Sequence, residues 1–181
     1  GEAYTYLYML LRSRRDSSIV ATALADFLAA HPNHREATLD AARFYAARRH
    51  YLRADSLLAR ALRISPDADS RSRVHEERAG LIIDALAVDS LHLPPHWRTA
   101  EALRALDRAD SLAPRPSSAL LRGVILYGQG RNREAFAAFE RVNRSDAASL
   151  RSFFFAAQAL SRAGGNDSAV VALLDSALAH T

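Results

Sequence analysis

Apolar and polar residues alternate with a helical period along most of the chain, and the segment 123–142 shows this most clearly. An apolar stretch there ends at Gly128 and Gly130, and a short polar turn follows. The next stretch repeats apolar residues at intervals of four and three, a spacing that places them on one side of a helix: Ala135, Phe139 and Val142. Because glycine favours the left-handed conformation that stops a helix, the pattern predicts a helix–turn–helix hairpin.

The same hairpin recurs along the chain at a nearly constant interval. A small residue opens the apolar face of each second helix, and the four steps between these residues are 34, 48, 33 and 34: Val20, Ala54, Ala102, Ala135 and Ala169. Such a period is typical of a repeat architecture. The expected division is one domain, 1–181, with hairpins at about 1–34, 35–68, 70–115, 116–148 and 149–181.

The second hairpin carries the fullest version of the pattern, in the order Ala42, Tyr45, Tyr51, Ala54, Leu58, Ala61 and Pro66. This order resembles the tetratricopeptide repeat, in which small, aromatic and aliphatic residues recur with a proline near the end. The resemblance covers essentially the whole chain. It implies an all-α, right-handed α-solenoid of about five hairpins, without strands.

The resemblance also implies a concave groove, lined by the first helix of each hairpin, that holds an extended peptide or a helix of a protein partner. The spacing assigns seven residues to this groove: Leu39, Arg43, Leu81, Leu120, Tyr127, Phe154 and Gln158. Co-chaperone members of the family hold a C-terminal carboxylate with Lys and Asn pairs. This chain has no Lys and no Asn on its predicted first helices, which argues against that ligand.

The third hairpin departs from the pattern. Gly80 and Ala102 are 22 residues apart, whereas Gly123 and Ala135 are 12 apart. The difference predicts a longer first helix over residues 70–88 and an inserted segment at 87–96, stiffened by two prolines. One interpretation is a partner-binding projection; the other is a tolerated insertion in which the tryptophan anchors the core. The residues concerned are Leu91, His92, Leu93 and Trp97.

Packing of the hairpins suggests two further expectations. Gly80 and Gly123 are expected where neighbouring helices approach most closely, so that a larger side chain would overpack the contact. Trp97 is expected at the start of the third hairpin's second helix, half buried against the prolines.

Both predicted end helices are apolar over an arc wider than packing on one neighbour requires. This favours head-to-tail stacking of copies into an open filament, extracellular or otherwise. The residues expected at the stacking surfaces are Tyr4, Tyr6, Leu10, Val170, Val171 and Leu174. A peptide-binding adaptor domain excised from a longer protein would show the same apolar ends, and this alternative stays open.

Composition narrows the function classes. The net charge is +4 and all 24 basic residues are Arg, as a GC-rich bacterial genome would encode. Aromatic residues do not alternate with the arginines in a stacking pattern, so nucleic-acid binding is not predicted. No stretch has the ~18 apolar residues of a membrane span. The chain has no Cys, which is compatible with either the cytoplasm or export.

No catalytic, cofactor-binding or metal-binding group is predicted, and the chain is therefore not expected to be an enzyme. The histidine pairs in the turns, His31 with His34 and His92 with His96, lack the third ligand that zinc needs. The carboxylates Glu76, Glu77 and Asp84 lie among arginines on one predicted helix, as on a solvated face. The expected role is a protein-interaction scaffold.

Overall fold

The computed structural model describes residues 3–5, 7, 9, 17–88 and 93–179. Residues 3–5, 7 and 9 are helical and belong to the helix that we label α1. The helices that follow are α2 (Ser17–Ala30), α3 (Arg35–Ala47), α4 (Tyr51–Ile64), α5 (Ala68–Val88), α6 (Thr99–Leu112), α7 (Pro116–Gly128), α8 (Asn132–Asn143), α9 (Leu150–Arg162) and α10 (Asp167–Leu178). No described residue lies in a strand. The prediction of an α-solenoid of helical hairpins is confirmed.

Local sequence signals set the ends of the helices. Pro116 occupies the first turn of α7, where its missing N–H costs nothing. Ser149 caps α9 in a capping box with Ser152, because each side chain accepts a hydrogen bond from the other residue's backbone N–H. Gly130 and Gly164 follow α7 and α9 with φ of 73° and 78°, the left-handed conformation in which glycine avoids a Cβ clash.

Each helix packs mainly on its neighbours in sequence, as in a solenoid. Fully buried alanines let the helices approach closely: Ala54, Ala102 and Ala135 have no exposed surface. The corresponding Ala169 of α10 is instead exposed, because α10 buries only Ala177 among its described residues. The buried apolar residues form a large cluster that extends from α1 to α7 and a smaller one from α7 to α9.

The two glycines expected at close helix contacts differ. A Cβ on Gly123 would lie 2.5 Å from Cε1 of Phe139, so this close approach of α7 and α8 agrees with the expectation. A Cβ on Gly80 would meet nothing within 4 Å, and the expectation of a tight contact there is wrong. The longer α5 instead uses Ala79, Ile82 and Ala85 for the core.

The inserted segment of the third hairpin is partly described. α5 is 21 residues long and begins slightly before the predicted start. Trp97 precedes α6, is only 2% exposed, and donates its backbone N–H to the Pro94 carbonyl at 2.8 Å. It is thus buried in the large cluster rather than half buried, and it does not form an exposed projection. Leu93 packs on the same cluster; Leu91 and His92 lie outside the described residues.

Candidate functional site

A cavity of about 510 Å³ opens between α3, α4 and α5. Its floor consists of small and apolar side chains, among them Ala42, Ala46, Tyr51, Leu58, Gly80 and Leu81. Gly80 contributes to the opening, because a Cβ at this position would meet nothing within 4 Å. On the α3 side of the cavity, the side chains are also small: Ala42, Ala46 and Ala47. The cavity therefore has the concave, mostly apolar form of a binding site for an apolar group.

Charged side chains surround this cavity. Arg43 donates from Nε to both carboxylate oxygens of Glu77, at 3.0 and 3.1 Å, and from Nη1 to Asp40 at 3.2 Å. The hydrogen bond with Glu77 raises the pKa of Arg43 above its ordinary value. Arg49 and Asp84 also line the cavity and have no ion-pair partner among the described residues. Among the described residues, the rim thus offers one positive and one negative side chain without an ion-pair partner.

The hydrogen bonds between Arg43 and Glu77 also connect α3 to α5, the first helices of two consecutive hairpins. Glu76 makes the next such connection, accepting a hydrogen bond from Ser117 at 2.8 Å and pairing with Arg115. Partial burial raises the pKa of Glu76. The expected solvated face of α5 is therefore wrong for Glu76, which is largely buried where it connects α5 to α7. Glu77 connects α5 to α3 through a solvent-exposed pair.

A second cavity of about 340 Å³ lies between α7, α9 and α10. It combines residues expected in the groove with residues expected at an end surface: Tyr127, Phe154, Gln158, Val170 and Leu174. The hydroxyl of Tyr127 donates to Oε1 of Gln158 at 3.0 Å, and the guanidinium of Arg162 lies 4.5 Å from the centre of the Tyr127 ring. Phe154 is exposed.

The remaining groove residues are less accessible than the spacing suggested. Leu39 is buried in the large cluster, so it does not line an open groove. Leu81 is also buried and reaches the first cavity only at its floor. Leu120 is half buried and packs against the smaller cluster. In each case the apolar side chain turns toward neighbouring helices, because burial of its surface stabilises the fold.

The residues expected at the stacking surfaces differ in whether they point inward or lie exposed. Tyr4 points inward: its hydroxyl donates to Asp40 at 2.7 Å and its ring packs on Phe27 and His34. Burial and this hydrogen bond raise the pKa of Tyr4. Val171 is exposed on α10. Tyr6 and Leu10 lie outside the described residues.

The histidines in the first turn have structural roles. His34 caps α3 by accepting the backbone N–H of Ala37 at Nδ1, 3.2 Å away, and the ring of His31 packs on Phe27. Within the described part of the chain, no three His, Asp or Glu side chains converge as metal ligands would. The described helices also include none with the length and apolar character to span a bilayer.

The spacing of the repeats did not reveal three parts of the first cavity: Ala46, Tyr51 and the empty space beside Gly80. A clustering of small residues on α3, at Ala41, Ala42, Ala46 and Ala47, was the available signal. Small side chains alone do not distinguish a close helix contact from a cavity. That distinction depends on where α5 lies.

Solved structures of MamA resemble this chain over nearly its whole length. One crystal structure of MamA has a TM-score of 0.70 at 19% identity and covers 91% of this chain and 88% of MamA. A second has a TM-score of 0.70 at 20% identity, with 99% and 92% covered. MamA from Desulfovibrio magneticus RS-1, from residue 41 to its end, has a TM-score of 0.68 at 13% identity, with 98% and 94% covered.

The TM-scores show a shared fold, a helical solenoid like the tetratricopeptide type. At identities this low, the comparison shows the fold alone. No protein-family model matches the chain, and no curated protein matches it by sequence.

Proposed function

We propose that the chain is a non-catalytic scaffold that binds an extended segment of another protein in its concave groove. The cavity of about 510 Å³ between α3, α4 and α5 carries this proposal. Its volume accommodates one large apolar side chain together with part of the backbone that presents it. Burial of such a side chain contributes about 1.5–3 kcal/mol, which suits the anchor residue of a bound peptide.

The rim suggests the residues that flank the anchor. Arg49 has no ion-pair partner among the described side chains and can pair with an acidic residue on one side of the anchor. Asp84 can pair with a basic residue on the other side. Exposed charge pairs contribute little affinity but orient the partner. The expected ligand is therefore an apolar residue with charges of opposite sign on its two sides.

A display selection of random peptides on the immobilised protein tests this proposal. Peptides selected by the wild type are expected to carry an apolar anchor and to lose binding when Gly80→Leu fills the cavity. The matched control is Gly128→Leu, since a Cβ at Gly128 also meets nothing within 4 Å and Gly128 does not line the cavity. Equal binding to wild type and Gly80→Leu would refute the groove as the site.

A second function, head-to-tail stacking of copies, is favoured by the outer face of α10. Val171, Leu174 and Leu178 are exposed there. The second helix α8, in contrast, buries Ala138, Phe139 and Val142 between its neighbours. At the other end of the solenoid, Met9 and Ile19 are exposed apolar residues. Two unlike apolar ends form a contact that continues as an open filament unless its rotation closes a ring.

Sedimentation velocity over a range of concentrations tests this second function. The wild type is expected to associate, and Val171→Arg is expected to remain monomeric with an unchanged helical spectrum. Leu52→Arg is the matched control, because Leu52 is 57% exposed and Val171 is 53% exposed, on different helices. A wild type that stays monomeric at high concentration, or equal effects of both substitutions, would contradict stacking through α10.

A further inference from the structure

A third cavity, of about 460 Å³, lies between α4, α5 and α6 and is separate from the proposed peptide groove. α5 contributes Arg71, His75 and Arg78 to it, one stripe of the helix, whereas Glu77, Gly80 and Asp84 face the groove. The described residues that line it are Ala59, Leu62, Arg63, Arg71, His75, Arg78 and Arg108. Among them are four arginines and no carboxylate.

The arginines differ in how far they are already neutralised. Arg78 donates to Asp55 at 2.7 Å and lies 3.5 Å from Glu101. Arg71 donates from Nε to the Ser65 carbonyl at 3.1 Å, and this contact leaves its charge uncompensated. The side chains of the other two, Arg63 and Arg108, have no hydrogen-bond or ion-pair partner among the described residues. Three positive charges are therefore available to a ligand.

His75 provides a second and independent indication of a ligand. Its side chain is only 9% exposed and forms part of the cavity wall. Its Nδ1 atom is buried and has no hydrogen-bond partner. Most buried polar atoms in folded proteins are paired, so an unpaired one at a cavity wall calls for an explanation. Burial, followed by the charges of Arg108 and Arg78, lowers the pKa of His75.

We infer that this cavity binds a small phosphate monoester. Planar guanidinium groups match the oxygens of a phosphate in charge and geometry, and a doubly charged anion uses more of the available cations than a carboxylate does. The volume exceeds the needs of a phosphate group alone. The apolar wall of Ala59 and Leu62 would contact the organic part of the ligand.

Titration calorimetry with phenyl phosphate as the probe tests the inference, with inorganic phosphate, benzoate and phenol as comparison ligands. Phenyl phosphate is expected to bind most tightly. Arg108→Gln and Arg63→Gln should each weaken it roughly tenfold, the loss of one charge-assisted hydrogen bond. Arg133→Gln is the matched control, because Arg133 is exposed on α8, away from the cavity, and its side chain has no partner among the described residues.

NMR titration of the His75 ring provides a second readout. A bound phosphate offsets the charges of Arg63, Arg71, Arg78 and Arg108 around the ring, while Asp55 and Glu101 stay paired with Arg78. The pKa of His75 should therefore rise when phenyl phosphate is added. The inference is overturned if Arg108→Gln and Arg63→Gln bind like the wild type, if benzoate or inorganic phosphate binds as tightly as phenyl phosphate, or if the His75 pKa does not change.

Discussion

Replacing each of two interior glycines with alanine should change stability in opposite directions. Gly80 lies in the middle of α5, and a Cβ there meets nothing within 4 Å. Gly123 lies in the middle of α7, and a Cβ there would lie 2.5, 2.7 and 2.8 Å from three ring atoms of Phe139. Phe139 has no exposed surface and stacks on Phe155 with ring centres 5.5 Å apart, so the ring has little freedom to move.

The magnitudes follow from two opposing effects. Alanine in a helix interior is favoured over glycine by about 0.5–1 kcal/mol. At Gly80 this gain acts alone, and the free energy of unfolding should rise by that amount. At Gly123 the inserted methyl group overpacks the contact with Phe139, at a cost of about 1–3 kcal/mol. The net expectation for Gly123→Ala is a loss of up to roughly 2.5 kcal/mol, the largest difference between these two effects.

Urea unfolding followed by circular dichroism measures both changes. A change of 1 kcal/mol corresponds to about 2–4 °C in Tm for a chain of this size, so thermal melts provide a check. The double variant Gly123→Ala with Phe139→Leu should lose less stability than the sum of the two single losses, because the smaller side chain accepts the new methyl group. If both glycine variants change stability in the same direction, or if Phe139→Leu gives no coupling, the packing described for α7 and α8 is wrong.

Three other expectations follow from burial and charge. Trp97 should show blue-shifted emission and resist iodide quenching, because only 2% of it is exposed; water-like emission would contradict this. The pKa of His75 is lower in the folded chain than its ordinary value of 6.5. The contribution of His75 to stability is therefore complete above pH ~6.5 and is lost as the pH falls below that value. In the His75→Gln variant, the free energy of unfolding measured with urea should depend less on pH over this range. Arg43→Gln should cost at most about 1 kcal/mol, since its ion pair with Glu77 is exposed; a larger loss in the same assay would contradict that assignment.

Helix positions could be predicted well from the sequence because their signals are local. Pro116, Gly130 and Gly164 mark ends of helices by their own backbone preferences. The period of the apolar residues identified which segments pair as hairpins. Both kinds of signal act within a few residues, so they do not depend on where distant helices lie.

Whether an individual side chain points to the core, to a cavity or to the surface could not be predicted in the same way. Gly80 and Gly123 are equivalent in the repeat pattern, yet the long α5 directs Ala79, Ile82 and Ala85 to the core and leaves Gly80 at a cavity. The apolar pattern of α1 assigns Tyr4 to an outer surface, whereas in the structure its hydroxyl donates a hydrogen bond to Asp40. Such choices depend on how far neighbouring helices are rotated, which an inserted segment changes.

The arginine-lined cavity between α4, α5 and α6 could not be predicted from the sequence for a related reason. The chain contains 24 arginines, and several of those that the structure describes pair with carboxylates or backbone carbonyls of neighbouring helices. Nothing in the spacing of Arg63, Arg71 and Arg108 shows that three helices bring them together around His75. Convergence of residues from separate helices is a property of the packed structure alone.

The proposed groove is tested most directly by mapping a selected peptide on the isotopically labelled protein. Backbone amide chemical shifts should change most at Ala46, Gly80 and Leu81 and little on α8, and the changes should disappear with Gly80→Leu. Shifts centred on α6 or α10 instead, or a Gly80→Leu variant that responds like the wild type, would contradict a binding site between α3, α4 and α5.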